Sequence, residues 1–554
     1  MASNQASEPA NTTFAQVTPD PRPTEPLPVN PLPELPPVED LLNDSAPSDL
    51  PPGAGDRTED TFVVSGIQLV GSTVFTAADF ADLFAQYTDR PITFDELLQL
   101  RSAVTQRYVE AGFLTSGAFI PPQTLENRQL TVQVVEGAIE DIEVVGTQRL
   151  NPNYVRSRLA LVTKPPVSAD RLLAGLQRLQ IDPLIDTISA DLQAGVKPGI
   201  STLRVTLSEA DSFDLTVGLD NARSPNVGSM RRQATLYEGN LFGIGDRASL
   251  SYANTAASNN LDVSYAIPLS PHNTRLDLKA GLSESRVIDD PFDVLDISAN
   301  AHYYELGITQ PLLESPTQEV YLELALSHQA NQTRLGIDNI GPFPLAPGAD
   351  SNGETRVSAL RFTQGWTQRS QQQVLAARSQ FSVGLDALNA TNNQGDLPDS
   401  QFFTWRGQGQ WVRLLGRESL FLVRGDVQLA SDRLLPSEQF GLGGQRSVRG
   451  YRQDALLRDN GVLLSAELRL PIVRFSGDSI VKIVPFIDTG TAWSHAEALP
   501  GNSTLIGTGV GLLWEQGDSL TARLDWGLPL TSIDSIGDSL QDDGIYFSIQ
   551  YNLL

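Results

Sequence analysis

From residue 211 to the end of the chain, side-chain polarity alternates with a period of two and never returns to a helical period. "RASLSYA" sets Ala248, Leu250 and Tyr252 on one face and Arg247, Ser249 and Ser251 on the other. "RLDLKAGL" opposes Leu276, Leu278 and Ala280 to Arg275, Asp277 and Lys279. "LTARLDW" and "IYFSIQYNL" repeat the scheme near the C terminus. Successive side chains of a strand leave opposite faces, so such segments read as strands with one apolar and one polar side. Sixteen of them begin near residues 213, 230, 246, 261, 274, 297, 319, 356, 377, 402, 417, 461, 480, 503, 518 and 545.

The gaps alternate in length. Those after even segments are mostly short, such as "PLSPHN" and "QGD". Those after odd segments are often long, notably 329–355, 430–460 and 527–544. Short turns on one side and long loops on the other describe an outer-membrane barrel. A soluble β-sandwich shares the period but leaves the full charges on so many polar faces unexplained. In a barrel of sixteen antiparallel strands that face lines water.

Composition agrees with that reading. The formal net charge is −27, which opposes nucleic-acid binding, since that needs a basic footprint. Absence of cysteine excludes disulfide scaffolds, thiolate metal sites and cysteine nucleophiles. No run approaches the eighteen or so apolar residues of a membrane helix. The opening "MASNQASEPANTT" lacks the charged and apolar regions of a signal peptide. The expectation is an outer-membrane location with a signal removed before Met1.

Two further regions precede the barrel. Residues 1–60 hold 13 of the 36 prolines and cannot bury enough surface to fold alone. They read as a linker, or as a tether or pore plug. Proline-rich chain rises about 3.1 Å per residue, so forty residues span roughly 120 Å. Residues 61–210 read as a duplicated β-α-α-β unit, 61–137 and 138–210. In the first copy Thr76 with Asp79 and Thr93 with Glu96 form capping boxes. Phe80, Leu83, Phe84 and Tyr87 share a helical face, and Leu130, Val132 and Val134 share a strand face. In the second, Asn151-Pro152 and Ser168 start helices. Gly146 follows Gly71 by 75 residues, and Leu203 follows Leu130 by 73.

The stretch "GLGGQRSVRGYRQD", residues 441–454, falls in the gap after the eleventh strand, the sixth outer loop. A sixteen-strand barrel left open would leak, so something must occupy it, and a glycine-rich loop can fold inward. An arginine there needs a carboxylate. In "VKIVPFIDTG", Val481, Ile483, Pro485 and Ile487 face lipid, and Lys482, Val484, Phe486 and Asp488 face the lumen. Asp488 is thus a candidate partner for Arg449. The alternative is that Arg449 stands in solvent and Asp488 is ordinary lumen polarity. In a wetted lumen the pair is expected to contribute only about 1 kcal/mol.

"SVRGY" in a late outer loop resembles the loop motif of the polypeptide-translocating barrel superfamily. That superfamily includes outer-membrane assembly factors and two-partner secretion transporters of the ShlB/FhaC/HecB type. The resemblance implies that the loop carrying Val448, Arg449, Gly450 and Tyr451 folds into the barrel. Its arginine then meets the F-x-D-x-G strand motif, here Phe486, Asp488 and Gly490 of "FIDTG". The tandem unit resembles two polypeptide-transport-associated (POTRA) domains. "YVEAGFLTSGAFIPPQ" followed by "LTVQVVEG" is similar to the first such domain of two-partner secretion transporters, and two domains before sixteen strands is that subfamily's layout. Family transporters often begin with a pore-plugging helix, whereas residues 1–30 are interrupted by prolines.

The expected function is export of an unfolded partner polypeptide through the barrel. The POTRA domains would capture it and the loop would gate or brace the path. The expected partners are that polypeptide and outer-membrane lipid, with no nucleic acid and a single chain sufficient. Alternatives are a barrel-assembly factor and a passive porin. No enzyme motif stands out. His272, His302, His328 and His495 are scattered, no phosphate loop is present, and no cofactor or metal is expected. The acidic "PGADSNGE" lacks the spaced carboxylates of a calcium loop and reads as a solvated turn.

Overall fold

The computed structural model describes residues 27–31, 41–43, 61–195, 199–416, 418–475, 477–495, 503–533 and 537–553. They fall into two units, described separately: residues 1–33 with nearly all of 212–554, and 34–211 with 243–245. The linker or plug expected over 1–60 lies outside the described residues except at 27–31 and 41–43.

The larger unit is a closed antiparallel barrel of sixteen strands, each paired with its chain neighbours apart from the seam. At the seam Phe213–Asp220 pairs with Ile545–Asn552 over five residues, from Thr216 opposite Asn552 to Asp220 opposite Ser548. Strands begin at 213, 231, 247, 258, 275, 297, 318, 354, 373, 403, 420, 460, 479, 504, 520 and 545, close to the expected starts. Outward positions are apolar and exposed, among them Leu250, Leu306, Leu464, Ile487, Leu524 and Trp526, as a lipid-facing band requires. No described helix is long and apolar enough to cross a membrane.

One loop is shorter than the gap expected over 329–355. Strand Gln318–Leu335 runs on for 18 residues and its partner resumes at Glu354. Here "SHQANQTRL" is polar on both faces, so alternation disappears while pairing continues, with Asn331 opposite both Ala301 and Thr355. About 9–11 tilted residues suffice to cross a bilayer.

Ion pairs tie neighbouring strands on the inner face. Arg231 meets Asp220 at 3.0 Å, Lys279 meets Glu305 at 2.9 Å and Arg406 meets Asp426 at 2.7 Å. Residues 27–31, without regular structure, also reach this face: Gln410 Nε2 of strand Phe403–Leu414 donates to the Pro28 carbonyl at 2.9 Å.

The smaller unit contains two α+β folds. The first has strands Gly66–Val70, Gln129–Val135 and Gly117–Phe119 in that spatial order. Helix Phe94–Glu110 packs Leu97, Leu100, Val104 and Tyr108 against Leu130, Val132 and Val134. The capping boxes at Thr76 and Thr93 form. The second has strands Ala138–Val145, Ile185–Ala194 and Ile200–Glu209 and helices Pro152–Leu159 and Ala169–Gln180, capped by Asn151 and Ser168. Its free edge is partly covered: Leu42–Asn43 pairs in parallel with Ala190 and Asp191, and Leu41 is buried in the core.

The duplication extends to a device that sequence reading missed. After the first strand of each copy a glycine turns to positive φ, Gly71 at 84° and Gly146 at 97°. A carbonyl of the closing strand, Val134 or Leu207, stands where a Cβ would lie, so only glycine fits without strain. The following backbone N–H groups then converge on a carboxylate at the end of the closing strand. Glu136 accepts from Thr73 at 2.6 Å and Val74 at 3.0 Å. Glu209 accepts from Gln148 at 2.6 Å, Arg149 at 3.1 Å and Leu150 at 2.9 Å. Burial alone would raise both carboxyls, but these hydrogen bonds prevail and hold both below the ordinary glutamate value.

Candidate functional site

The loop between strands Leu420–Ala430 and Asn460–Arg474 is a hairpin with its own stem. Phe440–Leu442 pairs antiparallel with Leu456–Arg458, leaving 443–455 as the tip. Phe440, Leu442, Val448, Tyr451 and Leu456 form an apolar cluster with Leu463, Ala492 and Leu505 of the barrel wall. The tip is therefore packed against the wall, as a small core would be. Two ion pairs brace its flanks, Arg361 with Glu438 and Arg452 with Asp289, each at 2.7 Å.

Arg449 lies at the bottom of this packing with 1% of its surface exposed, and Asp488 has none exposed. Arg449 Nε donates to Asp488 Oδ2 at 2.7 Å and Nη2 donates to Oδ1 at 2.8 Å. The Arg449 backbone N–H adds a third bond to Oδ2 at 3.1 Å. Ser465 Oγ donates to Oδ1 at 2.6 Å. The guanidinium carbon stands 3.5 Å from the Phe486 ring centroid. A planar fork stacked on an aromatic face and bonded bidentately is an arrangement arginine supports and lysine does not.

The expectation of a wetted, weakly coupled pair is thereby corrected. The apolar tip excludes water from the Arg449–Asp488 contact, and breaking a buried pair costs about 3–5 kcal/mol because a charge is left uncompensated.

Sequence reasoning missed the remaining charges. Arg449 Nη1 donates to Glu467 Oε2 at 3.1 Å and lies 3.9 Å from Asp525. Arg523 bonds Glu467 Oε2 at 2.8 Å and Asp525 Oδ2 at 2.7 Å. Arg469 bonds Glu467 Oε1 at 2.7 Å. Their inward direction is legible in the period-two alternation of "VLLSAELRL", residues 462–470, and of "LTARLDW"; their convergence needs the curvature of the closed wall.

The other motif residues position the tip. Gly450 has φ 102°, and a Cβ there would stand 2.9 Å from Pro529 N. Its N–H donates to the Tyr546 hydroxyl at 2.9 Å, and that hydroxyl donates to the Tyr451 carbonyl at 2.6 Å. The Tyr451 hydroxyl lies 2.8 Å from the carbonyls of Ile506 and Thr531 and accepts from Thr531 N–H at 3.1 Å. Val448 is fully buried, and Leu442 packs over Gly490. All seven motif residues, Val448 to Tyr451 with Phe486, Asp488 and Gly490, thus meet at one seat. Beside it a polar cavity of about 420 Å³ is lined by Thr216, Gln233, Gln445, Arg446, Gln550 and Asn552 among others.

The family model described as haemolysin secretion/activation protein ShlB/FhaC/HecB matches residues 199–513, more than half of the chain. The chain belongs to this family. A model of the ShlB-type POTRA domain matches residues 62–137. The outer membrane transporter CdiB of Escherichia coli O6:K15:H31 is 24% identical over 511 residues, covering 89% of this chain and 84% of its own. The heme/hemopexin transporter protein HuxB of Haemophilus influenzae 86-028NP is 21% identical over 526 residues, covering 90% and 88%. Among solved structures, CdiB from Escherichia coli has a TM-score of 0.65 at 22% identity, covering 92% of this chain and 93% of that one. CdiB from Acinetobacter baumannii has a TM-score of 0.61 at 18% identity, covering 90% and 91%. Both share the fold. The protein is an outer-membrane transporter of the two-partner secretion type, with its POTRA region in the periplasm.

Proposed function

We propose that this transporter exports one unfolded secreted polypeptide, captured by residues 61–137 and 138–210, through the barrel of residues 211–554, with the loop 441–454 as its gate. One chain suffices and the surrounding lipid is its only other partner. The observation that carries this reading is the seating of the loop on the inner wall by a dry Arg449–Asp488 pair.

Capture needs an open strand edge, because main-chain hydrogen bonds take an extended peptide of any sequence. The edge at Gly117–Phe119 carries no further strand among the described residues, and Phe119 is exposed. The corresponding edge of the second domain is partly occupied by Leu42–Asn43. The first domain's edge is therefore the favoured entry. In the barrel, the cavity beside the loop is lined by amide and hydroxyl side chains together with Asp220, Arg231 and Arg446; the amides and hydroxyls bond a passing backbone without selecting side chains.

The test is to delete the protein and compare the secreted proteins of the two strains. Loss of one secreted polypeptide, recovered by the wild-type chain and by neither Arg449→Ala nor Asp488→Ala, supports the reading. Undiminished secretion by both variants overturns the role of the loop. Broad loss of outer-membrane barrels overturns export in favour of assembly.

A further inference from the structure

Around the seat the ion-paired charges are equal in number. Three cations, Arg449, Arg469 and Arg523, face three anions, Asp488, Glu467 and Asp525. The balance is unequal in one respect. If Arg449 leaves, Glu467 keeps Arg469 and Arg523, and Asp525 keeps Arg523. Among the described residues, Asp488 keeps only the hydroxyl of Ser465. Withdrawing the loop would strand this one carboxylate.

A fourth cation stands beside it. Arg424 is on the inner face of strand Leu420–Ala430: its neighbour Val423 lies on the face of Phe421, and Asp426, two residues on, pairs with Arg406. Its buried Nε has no hydrogen-bond partner among the described residues. Pairing register places Arg424 opposite Ser465, and Ser465 opposite Asp488. Arg424 and Asp488 are thus two strands apart on one row, about 10 Å between backbones, a gap that an arginine stem and an aspartate stem span together. Arg424 already lies within electrostatic range of Arg449, Asp488 and Glu467. The same row continues to Gln410, which holds the Pro28 carbonyl.

We propose that Arg424 is the reserve partner of Asp488: when Arg449 withdraws with the loop, the Arg424 guanidinium turns along the row and takes the vacated carboxylate. While the loop is seated the two arginines repel each other, and Arg424 is kept off. When the loop leaves, the wall retains a compensated charge and the barrel stays closed on itself. Arg424 is a positioning residue, acting through Asp488. The inference rests on the reading that the loop leaves its seat during export. Its test removes Arg449 directly, so it can succeed or fail whether or not the loop moves.

The full chain is prepared in detergent micelles, and the folded fraction across a urea series is read from heat-modifiable gel mobility. Arg424→Gln alone shifts the unfolding equilibrium by no more than about threefold. In an Arg449→Ala background the same substitution costs a further factor of about ten to a hundred. Arg424→Lys in that background retains most of the stability. Adding Asp488→Asn to the Arg449→Ala, Arg424→Gln pair restores it, because the stranded charge is gone. If the double variant does not fold and the triple variant does, the inference stands. If the two substitutions are additive, or Asp488→Asn gives no rescue, it is overturned.

Discussion

Arg449 grips Asp488 through two parallel hydrogen bonds, of 2.7 and 2.8 Å, while its guanidinium lies 3.5 Å above the ring of Phe486. Charge, fork geometry and stacking are satisfied at once, so the seat distinguishes arginine from lysine. Arg449→Ala is expected to weaken loop seating by about 3 kcal/mol or more. Arg449→Lys, which keeps the charge but loses the fork, should fall between it and the wild type. Protease cleavage within 441–454 on intact cells, together with the amount of secreted partner, measures both. Equal behaviour of lysine and arginine would show that charge alone seats the loop.

A backbone requirement gives the second prediction. Gly450 combines φ 102° with close approach to Pro529. Gly450→Ala should cost about 2 kcal/mol through strain and overlap, though it removes no hydrogen bond. Loop cleavage should rise as in Arg449→Ala while the pair itself is intact. Unchanged cleavage would mean that the wall yields to the extra methyl.

Tyr546 supplies a third. Its hydroxyl joins the Gly450 N–H to the Tyr451 carbonyl. Tyr546→Phe leaves both backbone groups buried without that partner, at a cost of about 1–3 kcal/mol. The expected outcome is a lower urea midpoint for the barrel with the same slope.

The fourth concerns the paired carboxylates of the POTRA region. Glu136→Gln should speed amide exchange at Thr73 and Val74, and Glu209→Gln at Gln148, Arg149 and Leu150, each about fivefold to tenfold. Both carboxyls lie below their ordinary value in the folded chain. Their contribution is therefore complete above the unfolded value of about 4.3 and is lost as pH falls below it through the folded values. Exchange at these amides in the wild type should rise on acidification over that range. In the glutamine variants it should not follow pH in the same way once intrinsic exchange is subtracted.

Much of the barrel was legible because alternation is a local signal: each strand start falls within a few residues of the expected one. The strand Gln318–Leu335 ran further than expected because pairing persists where one face no longer meets lipid, and period-two polarity is the only trace a strand leaves. Asp488 as partner of Arg449 was legible from facing direction and family resemblance together. Glu467, Arg523 and Asp525 were not, since their meeting depends on which strands the closed wall brings under the loop. The dryness of the seat was misjudged for a related reason. Alternation shows which way Asp488 points but not that Val448, Tyr451 and Leu442 cover the space around it. The carboxylates Glu136 and Glu209 left a weak trace, a shared offset of 73 residues, matching that of Leu130 and Leu203.

Strands Ile297–Glu314 and Gln318–Leu335 are each 18 residues long. At about 3.4 Å per residue and a tilt of about 40° they rise roughly 45 Å, against an apolar band about 25 Å tall. On this flank the wall stands as a chimney some 20 Å higher than the oil it crosses. By the export route proposed above, a chain leaving on this flank would pass 18-residue strands that outreach the apolar band before it meets open solvent.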